Sequence, residues 1–187
     1  MDDPNAGTKP DPKDLACRPP VQADLVALCR ALNERGARYV VVGGFAIIAA
    51  GLPRMTTDVD LMVAVDRENE AKVFSALSTL PDNAVRELQP GELQLYNVIR
   101  VGDEILVDLM CSAGGIDYAE AAKDVVVREL GGVPIPFASP RLLWRMKVVT
   151  HREKARAIWF FCASGLPNAG NSRRRSRRGL NSLLVGL

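Results

Sequence analysis

Asp58 and Asp60 sit two residues apart in the run Asp58-Val59-Asp60-Leu61-Met62-Val63, where every other member is apolar. In an extended strand, side chains alternate between the two faces. Asp58, Asp60 and Met62 would therefore face one way, and Val59, Leu61 and Val63 the other. Two carboxylates held this close repel unless a proton or a cation lies between them. A set of ligands that are all oxygen, on a rigid element, suits a hard divalent ion such as Mg²⁺ or Mn²⁺. Such an ion keeps several waters and takes further ligands from substrate phosphates.

Two other features join this pair. Gly43-Gly44 follows the β-branched run Tyr39-Val40-Val41-Val42 and precedes a short apolar segment, Phe45 to Ala50, which stops at Gly51 and Pro53. A glycine turn at the start of a helix offers backbone N–H groups and the positive end of the helix dipole, and both attract phosphate. A third acid, Asp108, lies inside the apolar run Ile105 to Met110. Each signal alone has an ordinary explanation. Asp-x-Asp is a common pair, Gly-Gly is commonly a turn, and Asp108 alone could be a structural acid bonded to backbone N–H groups. In this order and spacing they describe a phosphate cradle beside a metal-binding acid cluster, the requirement for phosphoryl or nucleotidyl transfer.

The elements that must hold these residues can be read from the pattern. Asp24 to Arg35 carries Leu25, Leu28, Cys29 and Leu32 on one helical stripe and ends at Gly36. A second helix runs from Asp66 or Arg67 to about Leu80, with Val73, Phe74 and Leu77 inward. Arg86 to Arg100 reads as one or two strands around a Pro90-Gly91 turn, and Gly102-Asp103 as a tight hairpin turn into the Asp108 strand. Asp117 to Lys123 is a helical turn. Val125 to Leu130 and Val133 to Phe137 are strands split by Gly131-Gly132. Ser139-Pro140 opens a helix running to about Phe161, with Leu142, Leu143, Met146 and Val149 on its core face. The sum is an α/β (α+β) fold, a small mixed sheet flanked by helices.

With Val42-Gly43-Gly44, thirteen intervening residues, then Asp58-Val59-Asp60-Leu61, the chain resembles the nucleotidyltransferase superfamily, the fold shared by DNA polymerase beta, kanamycin nucleotidyltransferase and the minimal nucleotidyltransferases. The run Arg54-x-Thr56-x-Asp58-x-Asp60 looks most like the AbiE-type abortive-infection toxins. The likeness spans about residues 22–153. It implies that Asp58, Asp60 and Asp108 bind two Mg²⁺ (or Mn²⁺) ions and carry catalysis. Gly43, Gly44, Arg54 and Thr56 would contact an NTP. The acceptor would be tRNA, protein or a small molecule, with a cognate antitoxin as a partner. In such families a lysine on the later helix approaches the nucleotide phosphates, a role that Lys147 would take; Lys147 reads equally well as a solvated side chain. Phe45 departs from the pattern, because many active members carry Ser or Thr there. A degenerate nucleotide- or partner-binding domain is the alternative reading.

Length and composition bound the rest. A chain of 187 residues, 48% apolar, is one domain with tails. Residues 1–20 are rich in Pro and Asp and are expected to be disordered. Residues 21–165 form the domain. The segment 166–187 contains five arginines and no acid. Without those five charges, the total of +2 leaves −3 for the remainder. This tail reads as disordered. It is either a basic arm or the product of a frameshift, because the composition shifts abruptly near residue 155. His151 reads as a surface residue, and Arg152 as a weaker phosphate candidate than Lys147. Cys17, Cys29, Cys111 and Cys162 show neither disulfide nor metal-ligand spacing, and no apolar run reaches membrane-spanning length. Both features suit a cytoplasmic protein with reduced thiols and no membrane partner.

Overall fold

The computed structural model describes residues 17–148. In chain order it contains α1 (Gln22–Glu34), β1 (Tyr39–Val41), α2 (Gly43–Ala49), β2 (Val59–Val63), α3 (Arg67–Leu77), a 3₁₀ turn (Ala84–Glu87), α4 (Glu92–Leu95), β3 (Val98–Gly102) and β4 (Leu106–Met110). The short pair β5 (Ser112–Ala113) and β6 (Ile116–Asp117) comes next, followed by α5 (Tyr118–Ala121), β7 (Val125–Leu130), β8 (Val133–Ala138) and α6 (Pro140–Val148). Six strands form one mixed sheet in the order β3-β4-β2-β1-β8-β7. The β1–β2, β3–β4 and β7–β8 pairs are antiparallel, while β1–β8 and β2–β4 are parallel. The architecture is mixed α+β, with helices packed on the sheet. No helix among the described residues is long and apolar enough to cross a membrane.

The core follows the sequence pattern. Val59, Leu61 and Val63 of β2, and Val107 and Leu109 of β4, are fully buried. So are Leu25, Leu28, Cys29 and Leu32, the stripe of α1, which packs against β8 and α3. Burying a side chain of this size contributes about 1.5–3 kcal/mol. Asp66 caps α3 by accepting the Asn69 N–H, and Asp117 caps α5 by accepting the Glu120 N–H. Cys17, Cys29 and Cys111 are free thiols.

Several elements differ from the expectation. Residues 86–97 form no strand. The 3₁₀ turn and α4 occupy them, and only Val98–Gly102 is extended. The cause lies at a distance: the buried Glu70 carboxylate accepts the N–H groups of Gly91 (2.7 Å) and Leu93 (3.1 Å) and so caps α4. The α2 helix begins at Gly43 rather than Phe45, so both glycines lie inside its first turn. The β5–β6 pair was not anticipated. Arg18, counted with the unstructured start on composition, bridges to Ile105 and pairs with Asp24 (2.7 Å) and Glu104 (3.0 Å). Helix α6 is described as far as Val148. The expected continuation to Phe161, His151, Arg152 and the basic tail lie outside the described residues, as do residues 1–16.

Candidate active site

The topology brings the end of β1 and the start of β2 together, because the two strands are antiparallel neighbours: Val41 pairs with Leu61, and the Val42 N–H bonds the Asp60 carbonyl at 3.0 Å. On the other side of β2, the parallel strand β4 places Asp108 directly beside Asp60 in register. Asp58 precedes the first residue of β2. Carboxylate oxygens of Asp58, Asp60 and Asp108 lie within 4.8 Å of one another. The alternation in the sequence anticipated this convergence. Asp58 nevertheless reaches it from the loop rather than from the strand.

That loop is held by Thr56. Its hydroxyl donates to the Asp58 carbonyl (3.1 Å) and carboxylate (3.2 Å). Thr56 thus orients Asp58, and it also packs against Gly44, where an added Cβ would meet its Oγ1 at 2.1 Å. Gly43 adopts φ +58, and a Cβ there would lie 1.8 Å from Asp60 Oδ2. The position therefore excludes side chains on two grounds, the left-handed backbone and the carboxylate itself. The Gly44 N–H donates to Asp60 Oδ2 at 3.3 Å, so this amide faces the acid.

Asp60 bears the electrostatic strain of the cluster. Burial pushes its pKa up to about 6, and the neighbouring Asp58 and Asp108 push in the same direction. The Gly44 N–H and the Lys147 ammonium oppose them. Lys147 is therefore within electrostatic reach of Asp60.

Arg54 lies in the loop before β2, where its Nε donates to the Met55 carbonyl at 3.2 Å. It lies with Thr56, Phe45 and Met55 on the wall of a cavity of about 570 Å³, which Leu25, Ile48, Arg128 and Phe137 also line. Phe45 is buried there and supplies no hydroxyl. Thr56 joins this cavity to the acid cluster.

Arg100 was not picked out from the sequence. It stands opposite Asp108 across the β3–β4 pair and forks onto it, with Nε 2.9 Å from Oδ1 and Nη2 2.8 Å from Oδ2. Nη2 also lies 4.0 Å from Asp58 Oδ2. The carboxylates raise the already high pKa of its guanidinium further, Asp108 most of all.

The donor set fits a hard divalent ion: three carboxylates, oxygen only, converging beside a turn that has no side chain. Gly43→Ala is expected to destabilise the protein by about 2 kcal/mol or more, combining left-handed strain with displacement of Asp60. It should also weaken Mn²⁺ binding, which titration calorimetry would read; unchanged stability and binding would show that the turn can relax away from Asp60.

No protein-family model matches this sequence, and no curated protein matches it. Among solved structures, the chain is similar to a candidate nucleotidyltransferase from Thermotoga maritima. The two share 17% identity at a TM-score of 0.47, over 78% of this chain and 96% of that one. It is also similar to an antigenic nucleotidyltransferase-like protein from Paracoccidioides brasiliensis, with 19% identity and a TM-score of 0.45 over 75% of this chain and 72% of that one. These likenesses assign no residue a role; the reading of the acid cluster rests on its own geometry.

Proposed function

We propose that this protein is a metal-dependent nucleotidyltransferase that moves a nucleoside monophosphate from an NTP to an acceptor hydroxyl. The observation that carries the reading is the convergence of Asp58, Asp60 and Asp108 within 4.8 Å, next to the Gly43-Gly44 turn. The three aspartates would hold Mg²⁺ or Mn²⁺. A divalent ion bound there lowers the pKa of an acceptor hydroxyl and offsets charge on the leaving pyrophosphate. Thr56 keeps Asp58 aimed into the cluster, and the Gly44 N–H keeps Asp60 in place. Lys147 acts on Asp60 and would add positive charge for the phosphates of an NTP, and Arg54 lines the adjoining cavity. The Arg54-x-Thr56-x-Asp58-x-Asp60 run favours the AbiE-type abortive-infection class. On that reading the acceptor is tRNA or another macromolecule, and an antitoxin is the partner.

The test is transfer of label from each of ATP, GTP, CTP and UTP to total RNA and total protein with Mg²⁺, set against a chelator control. Wild-type protein should label one acceptor class. Asp108→Asn should lose at least about a hundredfold of that activity, since several kcal/mol of charge stabilisation depend on the ion it helps to hold.

Two observations favour a second reading, a degenerate domain that binds nucleotide or a partner without turnover. Phe45 stands where many members of the resembled superfamily carry Ser or Thr, and Arg100 already engages both oxygens of Asp108. Folded protein that binds Mn²⁺ and NTP but labels nothing would establish it.

A further inference from the structure

The acid cluster already contains a cation. The Arg100 fork engages both oxygens of Asp108, through two nearly equal N–H···O bonds of 2.9 and 2.8 Å. A fork of this kind lies along one edge of the carboxylate and uses both of its oxygens together. A hard divalent ion drawing on Asp58, Asp60 and Asp108 needs at least one of those same oxygens. Each oxygen keeps a second lone pair, but the guanidinium, 2.8 Å from Asp108 Oδ2 and 4.0 Å from Asp58 Oδ2, sets a like charge in the space such an ion must enter, so the two compete.

The two partners differ in their freedom to move. The Asp108 side chain is 6% exposed, on β4 between β2 and β3; the Arg100 side chain is 61% exposed, on β3 at the edge of the sheet. Withdrawing Arg100 into solvent leaves every strand pair intact, whereas moving Asp108 would disturb the sheet. The second contact, 4.0 Å from Nη2 to Asp58, makes the guanidinium a bridge between two of the three acids. Lys147 also acts on Asp60, so two of the protein's own cations bear on the cluster.

We propose that Arg100 is an exchangeable internal counter-ion: it holds Asp108 and steadies Asp58 in the metal-free protein, and it releases Asp108 when a divalent ion loads. The inference rests on reading the three aspartates as a metal site. Arg100 is a positioning residue in this scheme. It acts through Asp108, and it sets a threshold of metal concentration below which the site stays closed by its own side chain. A fork onto a charged group has a net worth that corresponds to roughly a tenfold or larger change in the affinity of a competing ion.

Mn²⁺ binding, read from the electron paramagnetic resonance of the free ion, tests the exchange on wild type, Arg100→Ala and Arg100→Lys. Arg100→Ala should bind Mn²⁺ about tenfold more tightly, and in chelator it should melt below wild type. Arg100→Lys keeps the charge without the fork and should fall between the two. An Arg100→Ala affinity equal to or weaker than wild type would overturn the proposal. So would an Arg100→Lys affinity equal to wild type, which would reduce the effect to charge at a distance. The wild-type protein supplies a check that needs no variant: in ¹⁵N-labelled protein the Arg100 Nε–H resonance should shift on Mg²⁺ titration with the midpoint of metal binding. A resonance that stays in place while the ion binds would also overturn the exchange. Wild-type protein that binds no Mn²⁺ at all would remove the metal-site reading itself, and this inference with it.

Discussion

Asp60→Asn is expected to raise the melting temperature of the metal-free protein at neutral pH while abolishing metal-dependent transfer. Burial, with Asp58 and Asp108 adding repulsion, pushes the Asp60 carboxyl up to about 6 in the folded protein, from an ordinary value of 3.8. The native chain therefore binds this proton more tightly than the unfolded chain. In chelator, acidification from pH 7 towards 4 relieves the penalty, and it is fully present above pH 6. A shift of this size corresponds to a penalty on the order of 2–3 kcal/mol at pH 7. Asparagine keeps an acceptor for the Gly44 N–H and carries no charge, so most of that penalty should disappear. The gain should exceed about 5 °C, using the usual relation between stability and melting temperature for domains of this size. The same substitution takes a ligand from the proposed ion, so transfer should fall by about a thousandfold or more. Thermal melts in chelator at pH 4 and pH 7.5 decide the matter: the advantage of the variant should be large at pH 7.5 and small at pH 4, near the ordinary carboxylate value. A variant that melts below wild type at pH 7.5 would make Asp60 a structural acid.

This opposition of stability and function explains why the acid cluster was legible from the sequence. Groups that destabilise the fold have no structural reason to recur together, so three acids in apolar runs, with a Gly-Gly turn at a fixed offset, are informative. The period-2 alternation gave the face of Asp60, and the apolar run around Asp108 gave a buried strand. Arg100 was hidden by a single turn. A two-residue turn at Gly102-Asp103 would set Arg100 opposite Ile105 and Asn97 opposite Asp108. The actual hairpin pairs Gly102 with Leu106, which leaves residues 103–105 in the turn and sets Arg100 opposite Asp108. Turn length fixes register, and register decides which charge meets which. The sequence does not display the length of a turn whose geometry is set by a buried side chain.

That side chain is Asp103, and it carries the other large expected effect. Asp103 is 4% exposed, and its carboxylate accepts three backbone N–H groups: Asp82 at 3.0 Å, Ala84 at 2.9 Å and Glu104 at 2.8 Å. It ties the β3–β4 turn to the segment that follows α3. Asp103→Ala would leave these donors without their partner, at about 1–3 kcal/mol for each donor that stays buried. A total loss of about 3–4 kcal/mol is expected, enough to lower the melting temperature by roughly 10 °C or more. Asp103→Asn keeps one carbonyl acceptor and should lose about half as much. The contrast with Asp60 is the point of the experiment. Asp103 stabilises the fold and touches none of the candidate ligands, so variant protein that remains folded at low temperature should bind Mn²⁺ as wild type does. An Asp103→Ala protein that melts normally would show that water replaces the carboxylate at the turn. One that stays folded but loses Mn²⁺ binding would show instead that the turn itself positions Arg100 and Asp108.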